Sequence, residues 1–227
     1  MKSLFERVRD FNDDIFRNIV SLRESQDLFD DLVDEQGVTQ YAIAVEAHVK
    51  EGLPLGMVER GFHYTTAVES PFTKEPFLLS RYGNGTFGVW YGALDLMTTI
   101  HETIFHLVKE ESKIEGLSGV LIRERAVYLV RARALLIDLV GKEKQYPELV
   151  SDNYALTQQI AERLHSEHPG LLVPSARSSG INLVAFTPKI LSDPRLTCYL
   201  TYTYDYQKKS VLVERTPGEI ILEHAFH

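Results

Sequence analysis

SRYGNGTFGVWYGALDLMTTIHETIFH, residues 80–106, changes its periodicity partway along. Glycines at 83, 85 and 88 precede VWYGAL, which reads as a glycine-rich turn feeding a strand. From Leu96 the apolar residues recur at helical spacing behind Asp95, a residue type that caps helix N-termini. At about 100° per residue, Met97, Ile100, Ile104, Leu107 and Val108 share one face. Thr98, Glu102 and His106 form an i, i+4, i+8 row on the other side, which faces either water or a cleft.

Mostly strands flank this stretch on both sides. Upstream, FHYTTAV and FLLSRY read as short strands separated by Pro, Gly and Asn. Downstream, GVLIRERAVYLVRARALLIDL alternates with the strand period, which puts Arg123, Arg125, Arg131 and Arg133 largely on a wet face. Asp152 opens a second helix with Leu156, Ile160 and Leu164 inward, stopped at Pro169-Gly170. Strands LLVPSA, INLVAF and CYLTYTYDY follow, and KKSVLVERT returns as a hairpin from the last. The expected class is α+β, with mixed, mostly antiparallel sheets and flanking helices. At the front, Leu4, Val8, Phe11, Ile15, Ile19 and Leu22 recur at helical spacing, and a second apolar series runs from Leu28 to Val49 before Gly52-Leu53-Pro54. The expectation is an acidic helical extension over residues 1–55, a junction near 52–58, and a main domain over 56–227.

Composition narrows the function classes. The net charge is -8, and residues 1–60 hold 13 Asp and Glu against 7 Lys and Arg, which argues against a nucleic-acid surface. The single Cys198 excludes an intrachain disulfide framework and any multi-cysteine metal site. The apolar runs are far short of a membrane span and MKSLFERVRD lacks a signal-peptide core, so a soluble cytoplasmic protein with no membrane partner is expected.

Two familiar motifs fail on inspection. Residues 83–88 fit G-x-G-x-x-G, but a dinucleotide-binding turn must open a helix, and here a strand follows. His101 and His106 resemble a zinc pair, but i, i+5 spacing turns the imidazoles about 140° apart on a helix, so they cannot share one metal. His165 and His168 stand near ligand spacing, yet in a helix's last turn, where imidazole also caps carbonyls. No metal is expected.

Residues 80–106 together with VPSARSSGINLVAF resemble the RES domain family, named for its Arg, Glu and Ser. The resemblance rests on Arg81 followed ten residues later by Tyr91, the T-x-x-x-E pattern ending at Glu102, and P-S-A-R leading into N-L-V-A-F. It spans about residues 58 to 190. Where many relatives carry G-R-W-N, this chain has Ser80-Arg81-Tyr82-Gly83. The resemblance implies an ADP-ribosyltransferase-like fold and an enzyme that consumes NAD, acting as the toxin of a bacterial toxin–antitoxin pair. It implies that Arg81, Tyr91, Glu102 and Ser175 line the NAD pocket.

Those residue types suit that chemistry. Nicotinamide leaves NAD as a neutral molecule, so the barrier lies in the oxocarbenium-like charge on the ribose, as in glycoside cleavage. Glu102 would stabilise that charge. Arg81 offers a planar fork for the diphosphate, and Arg81 or Arg177 would hold an incoming phosphate. Tyr91 offers a flat face for ribose or nicotinamide, and Ser175 would orient the ribose. NAD is then the substrate and inorganic phosphate the expected co-substrate, with no resident cofactor. Water, or a protein side chain as ADP-ribose acceptor, is the alternative, and a binding module with a decayed pocket is the alternative of another class. A helix-turn-helix antitoxin and a second copy of the chain are the expected protein partners.

Overall fold

The computed structural model describes residues 4–21, 64–73, 75–114, 116 and 118–226. Its longest element is strand β5 (Val120–Asp138), 19 residues whose alternating, β-branched sequence suits a pleated surface packed on both edges. Before it come β1 (Val8–Val20), β2 (Leu79–Ser80), β3 (Gly83–Asn84) and β4 (Trp90–Ala93). After it come β6 (Gly170–Pro174), β7 (Ile181–Ala185), β8 (Leu191–Asp205), β9 (Ser210–Glu214) and β10 (Ile220–Ala225). The α-helices among the described residues are α1 (Ser70–Thr73), α2 (Leu96–Glu111) and α3 (Ala155–Leu164). The fold is thus α+β, as expected, with one large, mostly antiparallel sheet.

That sheet has eight strands in the order β1-β4-β7-β6-β5-β8-β9-β10, and β1 pairs with β5 as well. The order therefore returns on itself, and β1, β4, β7, β6 and β5 form a ring from which β8, β9 and β10 extend as a wing. Among the described strands only the β5–β6 pairing is parallel, over Ile137↔Leu171 and Asp138↔Leu172. Inside the ring Phe11, Ile15, Trp90, Tyr128, Val130 and Leu183 are packed together. β6 is buried along its whole length, which is why GLLVP reads as a continuous apolar run. Helix α2 lays Ile100, Ile104 and Leu107 against Val127 of β5 and Leu200, Tyr202 and Val213 of the wing, and α3 lays Ile160 and Leu164 against Ile137, Leu171 and Val184.

Residues 8–20, expected as a helix, are strand β1, in register with β5 from Val8↔Ile137 to Val20↔Arg125. Phe11, Ile15 and Ile19 are four apart, which is close to one helical turn and also two strand repeats, so their spacing satisfies both periods. The long ladder on β5 decides between them. No separate helical extension therefore covers 8–20; residues 22–63, with the second expected helix and the junction near 52–58, lie outside the described residues. FHYTTAV also differs: over its described part the chain forms a π-helical turn, Thr65–Glu69, running into α1. Ala67 and Val68 are neighbours and both buried, and Trp90 Nε1 donates to Ala67 O at 2.7 Å. A strand would have sent one of the two outward, so packing overrides the β-branched propensity of the segment.

Smaller departures concern single residues. Met97, expected on the apolar face of α2, is exposed. Arg125, expected on the wet face of β5, is held inward by Asn18, with Nε donating to Asn18 Oδ1 at 2.6 Å. α3 begins at Ala155, whose N–H donates to Asn153 Oδ1 at 3.0 Å, three residues past the expected opening at Asp152. Among the described residues no helix is long and apolar enough to cross a membrane.

Because Ile15 is fully buried against Trp90 inside the ring, β1 is part of the core rather than an appendage. Ile15→Ala is expected to destabilise the protein by about 2–5 kcal/mol, read from urea unfolding midpoints; an unchanged midpoint would show that β1 is dispensable.

Candidate active site

Beside α2 the ring and the helix leave a cavity of about 240 Å³. β1 contributes Arg17 and Asn18, β4 contributes Tyr91, and the turn before β3 contributes Arg81 and Tyr82. α2 contributes Glu102, Phe105 and His106. Tyr154 ahead of α3, Pro174, Arg177 and Asn182 close the remaining side. The polar row of α2 thus faces a cleft. Asp95 caps that helix, accepting from Thr98 N–H at 2.7 Å, which fixes its start and hence the turn on which Glu102 sits.

Among the described residues lining the cavity Glu102 is the only acidic one, and its carboxylate is held from two other elements. Ser175 Oγ donates to Glu102 Oε1 at 2.7 Å and Asn182 Nδ2 donates to the same oxygen at 2.9 Å. Neither bond engages Oε2. Ser175 is buried, and its Oγ also accepts from the N–H groups of Arg177 and Ser178, each at 3.1 Å. One donor and two acceptor sites are all a hydroxyl has, so Ser175 has nothing left for a ligand. It is a positioning residue that acts through Glu102. The loop carrying it approaches α2 at Gly180, where an added Cβ would collide with Thr98 Oγ1, so only glycine allows that approach.

Tyr91 turns its ring to the cavity and anchors its hydroxyl behind it, 2.8 Å from Ser80 Oγ and accepting from Tyr82 N–H at 2.8 Å. Burial pushes its phenol up to about 12, against the hydrogen bonds from Ser80 and Tyr82, which favour the ionised form. Arg81 stacks over the ring of Tyr154, 4.7 Å from its centroid, and donates through Nη1 to the carbonyls of Leu149 and Ser151. Arg177 lies over Phe105 at 3.3 Å and pairs with Asp152, whose carboxyl that bond holds below its usual range. His106 is held below the usual imidazole range mainly by burial, against the pull of Glu102 and Glu110.

Of the five residues expected in the pocket, Arg81, Tyr91, Glu102 and Arg177 line it and Ser175 reaches it through Glu102. Arg17, Asn18, Tyr154 and Asn182 are additional. Asn182 stands inside the quoted NLVAF segment, and a polar residue opening an apolar strand was a signal available there. Arg17 carried none, since its segment fits a helix as well as a strand. His101 is directed away, 6.2 Å from the ring of His224, whereas His106 belongs to the cavity wall. His165 caps its helix as expected, with Nδ1 2.9 Å from Glu162 O, and stacks on Phe87. The glycines at 83–88 lead into β4 and no helix follows, as expected. Among the described residues no group of three His, Cys, Asp or Glu is arranged to hold a metal.

The family model described as RES domain matches residues 56–205, and the chain belongs to that family. No curated protein matches the chain. The sheet extends past the matched segment at both ends, since β1 precedes it and β9 and β10 follow it.

The buried phenol of Tyr91 has a consequence for stability at high pH. An unfolded tyrosine loses its proton near pH 10 and folded Tyr91 near 12. The stability its neutral form contributes is therefore complete below about pH 10 and is lost as pH rises towards 12. Melting temperatures of the wild type should fall more steeply over that window than those of Tyr91→Phe; parallel slopes would show that Tyr91 titrates normally.

Proposed function

We propose that the cavity binds NAD and cleaves the bond between nicotinamide and ribose. The observation that carries this reading is charge placement. In a chain of net charge -8, one carboxylate, fixed through a single oxygen by Ser175 and Asn182, shares a cavity with Arg17, Arg81 and Arg177. A dinucleotide presents that pattern in reverse, with an anionic diphosphate and a ribose that becomes cationic as nicotinamide departs. Glu102 Oε2 stabilises that charge and accepts from the ribose 2-hydroxyl, with the carboxylate held still by its two donors. Arg81, which among the described residues commits only Nη1, offers its remaining nitrogens to the diphosphate. The Tyr91 ring and Phe105 supply flat surfaces for ribose and nicotinamide.

In the step itself the carbon–nitrogen bond breaks with its electron pair going to nicotinamide, which leaves neutral. An oxygen of inorganic phosphate forms the new bond at the same carbon, giving ADP-ribose 1-phosphate. Phosphate needs no general base. Hydrolysis to ADP-ribose is the second reading, favoured by His106, whose lowered imidazole is neutral at pH 7 and stands in the cavity wall to accept a proton from water. The reading carries with it an ADP-ribosyltransferase-like fold and a toxin restrained by a helix-turn-helix protein that covers the cavity.

Incubation with NAD, with and without phosphate, followed by mass analysis of the products, tests the proposal. Nicotinamide release is expected, with ADP-ribose 1-phosphate in the presence of phosphate. Glu102→Gln should lower the rate by about a hundredfold or more while leaving the circular dichroism unchanged. No nicotinamide under any condition would leave a binding module, and full activity in Glu102→Gln would remove the carboxylate from the mechanism.

A further inference from the structure

We propose that Arg17 is a phosphate-binding residue of the cavity, supplied by β1 from outside the family-matched segment. The inference rests on the NAD-cleaving reading for the identity of the phosphate, and on the structure for the need of an anion. β1 and β4 pair at Phe16↔Ala93, and Arg17, the next residue of β1, lines the cavity beside that contact. Its Nη1 donates to Tyr91 O at 2.6 Å, and its guanidinium lies 5.3 Å from the centre of the Trp90 ring. Nε is buried and has no hydrogen-bond partner among the described residues.

Among the described residues no carboxylate meets this cation. Several other arginines do meet carboxylates: Arg7 pairs with Asp138, Arg131 and Arg195 with Asp14, and Arg215 with Glu219. Within the cavity wall, Arg81 has spent one nitrogen on two carbonyls and Arg177 is engaged by Asp152. Burial, and after it the like charge of Arg125, lowers the guanidinium to about 10 against the pull of Tyr91. It remains protonated at neutral pH. Asn18, the next residue, is buried and holds Arg125 through both its side-chain and main-chain oxygens, at 2.6 and 3.0 Å. Arg17 thus lines the cavity with a second cation, Arg125, acting on it from behind Asn18, and a desolvated positive charge without a counter-charge is costly unless a ligand supplies one. A guanidinium fork matches two oxygens of a phosphate, and the proposed reaction offers two sources, the inorganic co-substrate and the diphosphate of NAD.

The alternative is that Arg17 only satisfies the Tyr91 carbonyl. Steady-state nicotinamide release by the full chain, varying phosphate and NAD in turn, separates the two. Arg17→Gln should raise the KM for phosphate about tenfold or more, with Arg17→Lys restoring part of it, while the KM for NAD stays in place. A rise confined to the KM for NAD would place the bound phosphate in the substrate's diphosphate, and Arg17 would still be its ligand. A lower Tm with both KM values unmoved would overturn the proposal. If the wild type releases no nicotinamide, the NAD-cleaving reading fails on its own, and Arg17 is judged by calorimetry with pyrophosphate. Binding to the wild type that is lost in Arg17→Gln would support it; no binding, or equal binding to both, would overturn it.

Discussion

Both edges of β5 are occupied by other strands, and the position of every wall of the cavity follows from that arrangement. One edge carries β1 along Val8 to Val20, which delivers Arg17 and Asn18. The other edge carries β8 and then, at Ile137 and Asp138, the short parallel contact with β6, whose far end leads through Pro174 to Ser175. β8 in turn supports α2 through Tyr202, whose hydroxyl lies 3.0 Å from Thr103 Oγ1. A strand used on both edges cannot shift its register without moving side chains on several neighbours at once, so the cavity walls are fixed relative to one another.

Within that frame the charges are balanced unevenly. Glu102 receives two neutral donors on one oxygen, and its other oxygen is left for the cavity. The arginines opposite it are held by carbonyls, aromatic faces and one exposed aspartate, Asp152, rather than by Glu102 itself. Had Glu102 paired with any of them, its charge would have been neutralised before a substrate arrived. Keeping the carboxylate and the guanidiniums apart costs folding stability and leaves both free to act on a ligand that carries the opposite charges.

Much of this was legible in the sequence. The cap at Asp95 and the apolar series on α2 placed Glu102 and His106 on the polar side of a real helix, and the alternation of residues 120–138 marked β5. Arg81, Tyr91 and Glu102, which the family resemblance implied, meet in one cavity with Arg177, which the chemistry suggested. The failures have physical causes. A spacing of four fits a helical turn and two strand repeats alike, so β1 was misread and Arg17 with it. Thr65 to Glu69 took a helical path because Ala67 and Val68 are both needed in the core. Ser175 was legible as a residue but not as a role, because its full set of hydrogen bonds exists only once α2 and the loop after β6 are brought together.

A crystal structure of the protein with ADP-ribose tests the central claim most directly. The account predicts the nicotinamide-side ribose within hydrogen-bonding distance of Glu102 and the diphosphate among Arg17, Arg81 and Arg177. ADP-ribose bound elsewhere on the protein, or its absence from the cavity at saturating concentration, would contradict it.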